Sequence, residues 1–141
     1  MSFMPDSVQG IVAEVIREEN QKCDEVTIYF VDTATICELH EQFFDDPSPT
    51  DCISFPMDDE PLLDYRILGD VFVCPETAIA YGISHGKEPI KEVELYIIHG
   101  LLHLMGYDDI EENDRKAMRE AEKRCIAKIK KLNIHLKQII R

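Results

Sequence analysis

The stretch from Pro89 to Gly106 constrains this chain more than any other. Val93, Ile97, Leu101 and Leu104 recur at three- and four-residue spacing, the period of a helix that buries one face. Pro89 suits the first turn of such a helix, and Gly106 supplies a backbone position able to leave it by a left-handed turn. The same segment carries His99 and His103, four residues apart, so the two imidazoles lie one above the other on one face. The apolar stripe of such a helix faces the core.

The remaining elements are read around that helix. Val8, Ile11, Val12, Val15 and Ile16 follow Pro5 and Asp6 at helical spacing and predict a first helix ending near Gln21. Val26 to Val31 is β-branched and aromatic and predicts a strand. Thr35 and Glu38 have capping-box spacing for a second helix carrying Ile36, Leu39 and Phe43, with Asp32 ending the strand before it. Asp45 to Thr50 holds two prolines and is a loop. Cys52 to Phe55 and Asp70 to Cys74 read as strands, and Pro75 opens a short helix. Met57 to Asp64 is acidic, contains Pro61 and reads as an exposed connection. From Glu111 a long helix places Ala117, Ala121, Cys125 and Ile129 on one face, with a break near Asn133. The expectation is an α+β domain spanning residues 1–141, with a small mixed sheet of about four strands packed with about five helices.

Composition narrows the function classes. The formal charge is -13, but residues 1–112 hold 5 Lys/Arg against 25 Asp/Glu and residues 113–141 hold 10 against 3. An acidic body repels phosphate backbones at long range, which disfavours a generic nucleic-acid binder more than a protein with one local contact face. The basic C-terminal segment is either such a face or a partner for the acidic body. The five cysteines are scattered, with no CxxC pair, which fits a reducing cytoplasm better than a disulfide framework. No apolar run is long enough to predict a membrane span, and no signal pattern opens the chain.

The chemistry concentrates in His99-Gly-Leu-Leu-His103-Leu-Met-Gly106-Tyr-Asp-Asp109. Two imidazole nitrogens and a carboxylate brought back by the Gly106 turn would hold one divalent ion, zinc first among candidates, and leave a fourth position open for water. Asp108, Glu111 and Glu112 are alternative oxygen donors. The spacing is that of the extended zinc-protease pattern H-E-x-x-H-x-x-G-x-x-H. Gly100, however, stands where that pattern has its general-base glutamate, and Asp109 where it has a third histidine. The first difference argues against peptide hydrolysis by the usual route. The second leaves metal binding intact and makes the site less positive than one of three imidazoles.

Three blocks carry a wider resemblance: Pro49-Thr-Asp-Cys-Ile-Ser-Phe-Pro56, Leu68-Gly-Asp-Val-Phe-Val-Cys-Pro-Glu-Thr-Ala78, and His99 through Asp109. In these the chain resembles the YbeY family of metal-dependent endoribonucleases. The resemblance implies a compact α+β protein with a metal in a cleft. It also implies action on single-stranded RNA in 16S ribosomal RNA 3′-end maturation and ribosome quality control, with the small ribosomal subunit as partner. His99, His103 and Asp109 fall at the family's three metal positions. Thr50, Asp51 and Ser54 are polar candidates for the cleft wall, and Thr50, Ser54 and Arg66 for contact with substrate. A family arginine associated with RNA phosphate has Phe44 as its counterpart, and a phenylalanine cannot neutralise phosphate. Either another cation substitutes, with Arg66 or the C-terminal lysines as the candidates, or catalysis is weakened.

Overall fold

The computed structural model describes residues 2–57 and 64–139. The part of the acidic connection from 58 to 63 lies outside the described residues. Helix α1 runs Pro5–Glu18, strand β1 Glu25–Phe30, helix α2 Thr33–Phe44, strand β2 Cys52–Pro56 and strand β3 Ile67–Val73. Helices α3 Pro75–Ser84, α4 Pro89–Leu104 and α5 Glu112–Lys131 complete the order. Five helices and a mixed sheet make the fold α+β, as the sequence predicts. The sheet has three strands among the described residues, in the order β1-β3-β2, one fewer than expected. β3 is parallel to β1 and antiparallel to β2.

Several boundaries differ from expectation for local reasons. The cap of α2 is Asp32, whose carboxylate accepts from the Thr35 backbone N–H at 2.8 Å. The helix therefore starts two residues before the Thr35–Glu38 box, because an aspartate with extended backbone already satisfies its first free donors. β3 begins at Ile67 instead of Asp70, since Gly69 reads as a strand breaker but occupies φ +142° against the Phe55 carbonyl. On α5 the buried face is Met118, Ala121, Cys125 and Ile129, and Ala117 is exposed. A strict four-residue repeat drifts around a helix of about 3.6 residues per turn, which carries residue 117 off the face that 129 defines. Asn133, at φ 56°, sits in the turn that follows α5.

The sheet is covered on both faces. On one side α4 lies centrally, with Val93, Ile97, Ile98, Leu101 and Leu102 fully buried against Val71 and Val73 of β3, Ile11 and Val15 of α1, and Met118 and Ala121 of α5. Each such side chain contributes roughly 1.5–3 kcal/mol through removal from water. On the other side α2 sets Ile36 over Ile53 and Cys74, with Phe55 and Phe72 packed against them. β3, the middle strand, buries Val71 and Val73 on the α4 face, while Phe72 on the α2 face is half-buried and Asp70 interrupts the apolar run.

Gly100 sets the distance between α4 and the sheet. A Cβ built there would lie 2.4 Å from Val71 Cγ1, and the Gly100 carbonyl accepts a hydrogen bond from Ser54 Oγ of β2 at 2.9 Å. Only a residue without a side chain allows this approach. Gly100→Ala should gain about 1 kcal/mol in helix propensity and lose about 1–3 kcal/mol to overpacking, for a net loss by urea denaturation. In a Val71→Ala background the loss should vanish. An identical loss in both backgrounds would show that Val71 is not what limits the approach.

Candidate metal centre

His99 and His103 stand on the last turn and a half of α4, on the face turned away from Ile97 and Leu101. Their Nε2 atoms are 3.0 Å apart and their rings meet at 81°. The helix then ends in a Schellman arrangement: Tyr107 N–H reaches the Leu102 carbonyl at 3.1 Å and Gly106 N–H the His103 carbonyl at 3.1 Å. Gly106 takes φ +102° with open space where a Cβ would be, so its backbone conformation is the reason for glycine. That turn brings Asp109 Oδ2 to 3.5 Å from His99 Nε2 and 3.6 Å from His103 Nε2.

The hydrogens on the rings follow from their partners. His103 Nδ1 lies 3.0 Å from the Tyr107 carbonyl, which can only accept, so this nitrogen donates. His99 Nδ1 donates to Glu122 Oε2 of α5 at 2.8 Å. Each neutral imidazole therefore presents a bare lone pair at Nε2, and the two lone pairs face each other beside a carboxylate. Such a set could hold a cation between its members. Tetrahedral zinc with bonds of about 2.0–2.1 Å separates neighbouring ligand atoms by about 3.3–3.5 Å. The observed triangle of 3.0, 3.5 and 3.6 Å fits an ion of that size, with a further position open to the cavity.

Glu122 escaped the sequence reading. Its signal is weak but physical: one of three acids in a basic segment, it sits beside Ala121 and one turn from Met118 and Cys125, at the rim of the buried stripe. Carboxylates in this position fix the tautomer and orientation of a ligand histidine. The Gly106 turn has its own support, because Tyr107 Oη donates to Glu19 at 2.5 Å and Arg124 reaches both Glu19 and the Tyr107 hydroxyl. For His99, burial works to lower the pKa, but the Glu122 hydrogen bond and the fields of Glu122, Asp109 and Asp51 together hold it above the ordinary histidine value.

The three groups open into a cavity of about 440 Å³ that is also lined by His40, Phe44, Thr50, Asp51, Cys52 and Ser54. Thr50 and Ser54 thus stand at the cleft wall, with the Ser54 hydroxyl hydrogen committed to Gly100. Asp51 accepts from the Cys52 backbone N–H at 2.8 Å. The Cys52 thiol is pushed well above its usual range by burial and then by Asp51, Asp109 and Glu122, so it is no thiolate nucleophile. Arg66 is placed elsewhere: its guanidinium donates to Gln21 Oε1 at 2.9 Å and to the Lys22 carbonyl at 3.1 Å, and it is not among the residues lining the cavity. Gly100, at the position of the protease glutamate, faces Val71 and not the cavity, so peptide hydrolysis of that kind has no base here.

Two outcomes follow for Glu122→Gln. Zinc affinity, measured against a chromophoric chelator, should fall by about 10–100-fold; no change would remove the orienting role. In the metal-free protein His99 has a folded pKa above its unfolded value of about 6.5. Its contribution to stability is therefore complete below that unfolded value and disappears as pH rises through the higher folded one. The substitution should flatten this part of the stability profile, and a profile identical to that of the native chain would exclude the carboxylate as its cause.

The comparisons with known proteins agree with this geometry. The family model described as Endoribonuclease YbeY matches residues 2–130. The chain is 57% identical over 137 residues to Endoribonuclease YbeY of Protochlamydia amoebophila, covering 97% of this chain and 91% of that one. It is 34% identical over 118 residues to the protein of the same name from Chlamydia trachomatis serovar D, covering 82% and 73%. The solution structure of TM1509 from Thermotoga maritima superposes with a TM-score of 0.64 at 28% identity, over 88% of this chain and 79% of the other. With the family model spanning most of its length, the chain belongs to the YbeY endoribonuclease family.

Proposed function

We propose that this endoribonuclease hydrolyses phosphodiester bonds of single-stranded RNA at the His99–His103–Asp109 centre, with ribosomal RNA as its physiological substrate. The observation that carries the reading is the pair of bare imidazole lone pairs converging beside a carboxylate at the wall of an open cavity. A divalent ion bound there, for which zinc is the best match, supplies Lewis acidity to a water and to the scissile phosphate. The residues of the chain do the rest. His99 and His103 are oriented by Glu122 and the Tyr107 carbonyl, and Asp109 lowers the net charge of the centre.

Single-strand preference has support in the cavity wall. Phe44 is 55% exposed and lines the cavity. An aromatic face beside a hydrolytic centre suits an unstacked base, which a duplex does not offer. The helix that carries Glu122 also exposes Lys116, Arg119 and Lys123, a source of positive charge for flanking RNA on an otherwise acidic protein. The ribosomal assignment, 16S 3′-end maturation in the cytoplasm with the small subunit as partner, comes from the family. Among the described residues no helix is long and apolar enough to cross a membrane.

Cleavage of a labelled single-stranded RNA, a matched duplex and a peptide mixture tests the reading directly. The single strand alone should be cut, chelation should abolish cutting and zinc should restore it. His103→Ala and Asp109→Ala should each lower the rate by at least about 10²-fold with the far-ultraviolet circular dichroism unchanged. Equal cleavage of the duplex, or full activity after chelation, would defeat it.

A further inference from the structure

We propose that His40 binds a phosphate of the RNA substrate, in the role for which the family resemblance expects an arginine at the position of Phe44. The inference rests on the endoribonuclease reading above. Its starting point is a charge problem: the cavity wall contains Asp51 and Asp109, and no lysine or arginine is found among the described residues that line it. Three lining groups can carry positive charge, namely His40, His99 and His103. Two of these aim Nε2 at each other and at Asp109, which commits them to a bound ion. His40 is the one that remains for an anionic substrate.

The geometry suits the task. His40 lies one turn before Phe44 on α2, with ring centroids 5.7 Å apart, and both line the cavity. Its Nδ1 is 2.8 Å from the Ser48 carbonyl and must donate to it. Ser48 is itself held by Asp46 Oδ1, through its N–H at 2.9 Å and its hydroxyl at 2.6 Å. The loop thus clamps one edge of the ring and leaves Nε2 for the substrate. With Nδ1–H committed, Nε2 bears a hydrogen only in the imidazolium form, which an adjacent phosphate favours by accepting a charge-assisted hydrogen bond. The ionisable groups around the ring are Glu41 beside it on α2, Asp46 in the loop, Asp51 before β2 and, across the cavity, His99, His103 and Asp109. The acids among them repel phosphate, so a donor at His40 is what makes the wall acceptable to RNA.

Steady-state cleavage of a short labelled single-stranded RNA by the zinc-loaded chain tests this. His40→Gln should raise KM about tenfold with a smaller effect on kcat, and zinc affinity by chelator competition should stay at the native value, which also reports an intact fold. The slope of log KM against log salt should become shallower by about 0.7, the loss of one single-strand phosphate contact. His40→Arg, by contrast, should hold KM near the native value, a rescue that a merely structural role for His40 would not produce. Normal native cleavage with KM and salt slope unmoved by His40→Gln would overturn the role of His40 and leave the endoribonuclease reading standing. RNA left uncut by the native zinc-loaded chain would remove both.

Discussion

The close seat of α4 on the sheet is the constraint on which the rest of this molecule depends. Gly100 meets Val71 where any side chain would collide, and the Ser54 hydroxyl holds the Gly100 carbonyl from β2. Because Gly100 lies between His99 and the next turn, this contact fixes both the height and the rotation of the helix. The imidazoles are left at the rim, beside β2 and the loop before it, with the apolar stripe of the same helix driven into the core. One residue thus closes the core, orients the site and removes the glutamate that would have made the site a protease.

Around that seat the molecule invests polar contacts in one short turn. The Schellman ending of α4 reverses the chain, the Tyr107 carbonyl takes the His103 Nδ1 hydrogen, and the Tyr107 hydroxyl is anchored to Glu19 with Arg124 alongside. Helices α1 and α5 both contribute, and α5 adds Glu122 to His99. Hydrogen bonds of this kind, half-buried and partly charged, hold ligand atoms in place before any ion arrives. Glu122, which orients His99, also helps to raise its proton affinity, so a proton would compete with a metal ion at that histidine.

Electrostatics explains why an acidic protein can belong to a nuclease family. The charge of -13 describes the whole chain, whereas the proposed site is a single cavity wall. An ion between two histidines and one aspartate keeps a net positive charge. Exposed lysine and arginine side chains lie on the helix that supplies Glu122. Phe44 offers a ring face in place of a charge at the wall of that cavity.

What was legible in the sequence was local. The α4 stripe, the four-residue histidine spacing and the glycine that turns the chain toward Asp109 all follow from helical period and backbone sterics, which neighbouring residues decide among themselves. The five helices and the α+β class were legible for the same reason. Arrangement across the chain was not. Ala117 yields the core to Met118 because a helix packs along a drifting stripe, and Arg66 is drawn to Gln21 and Lys22 by the loop before β1. Glu122 and His40 reach the centre and its cavity from elements distant in sequence. Sequence alone determined which residues could hold a metal, because their spacing on one helix and one turn suffices. The tertiary structure decided which groups orient and surround it, because such contacts depend on how helices and strands pack and leave no period in the chain.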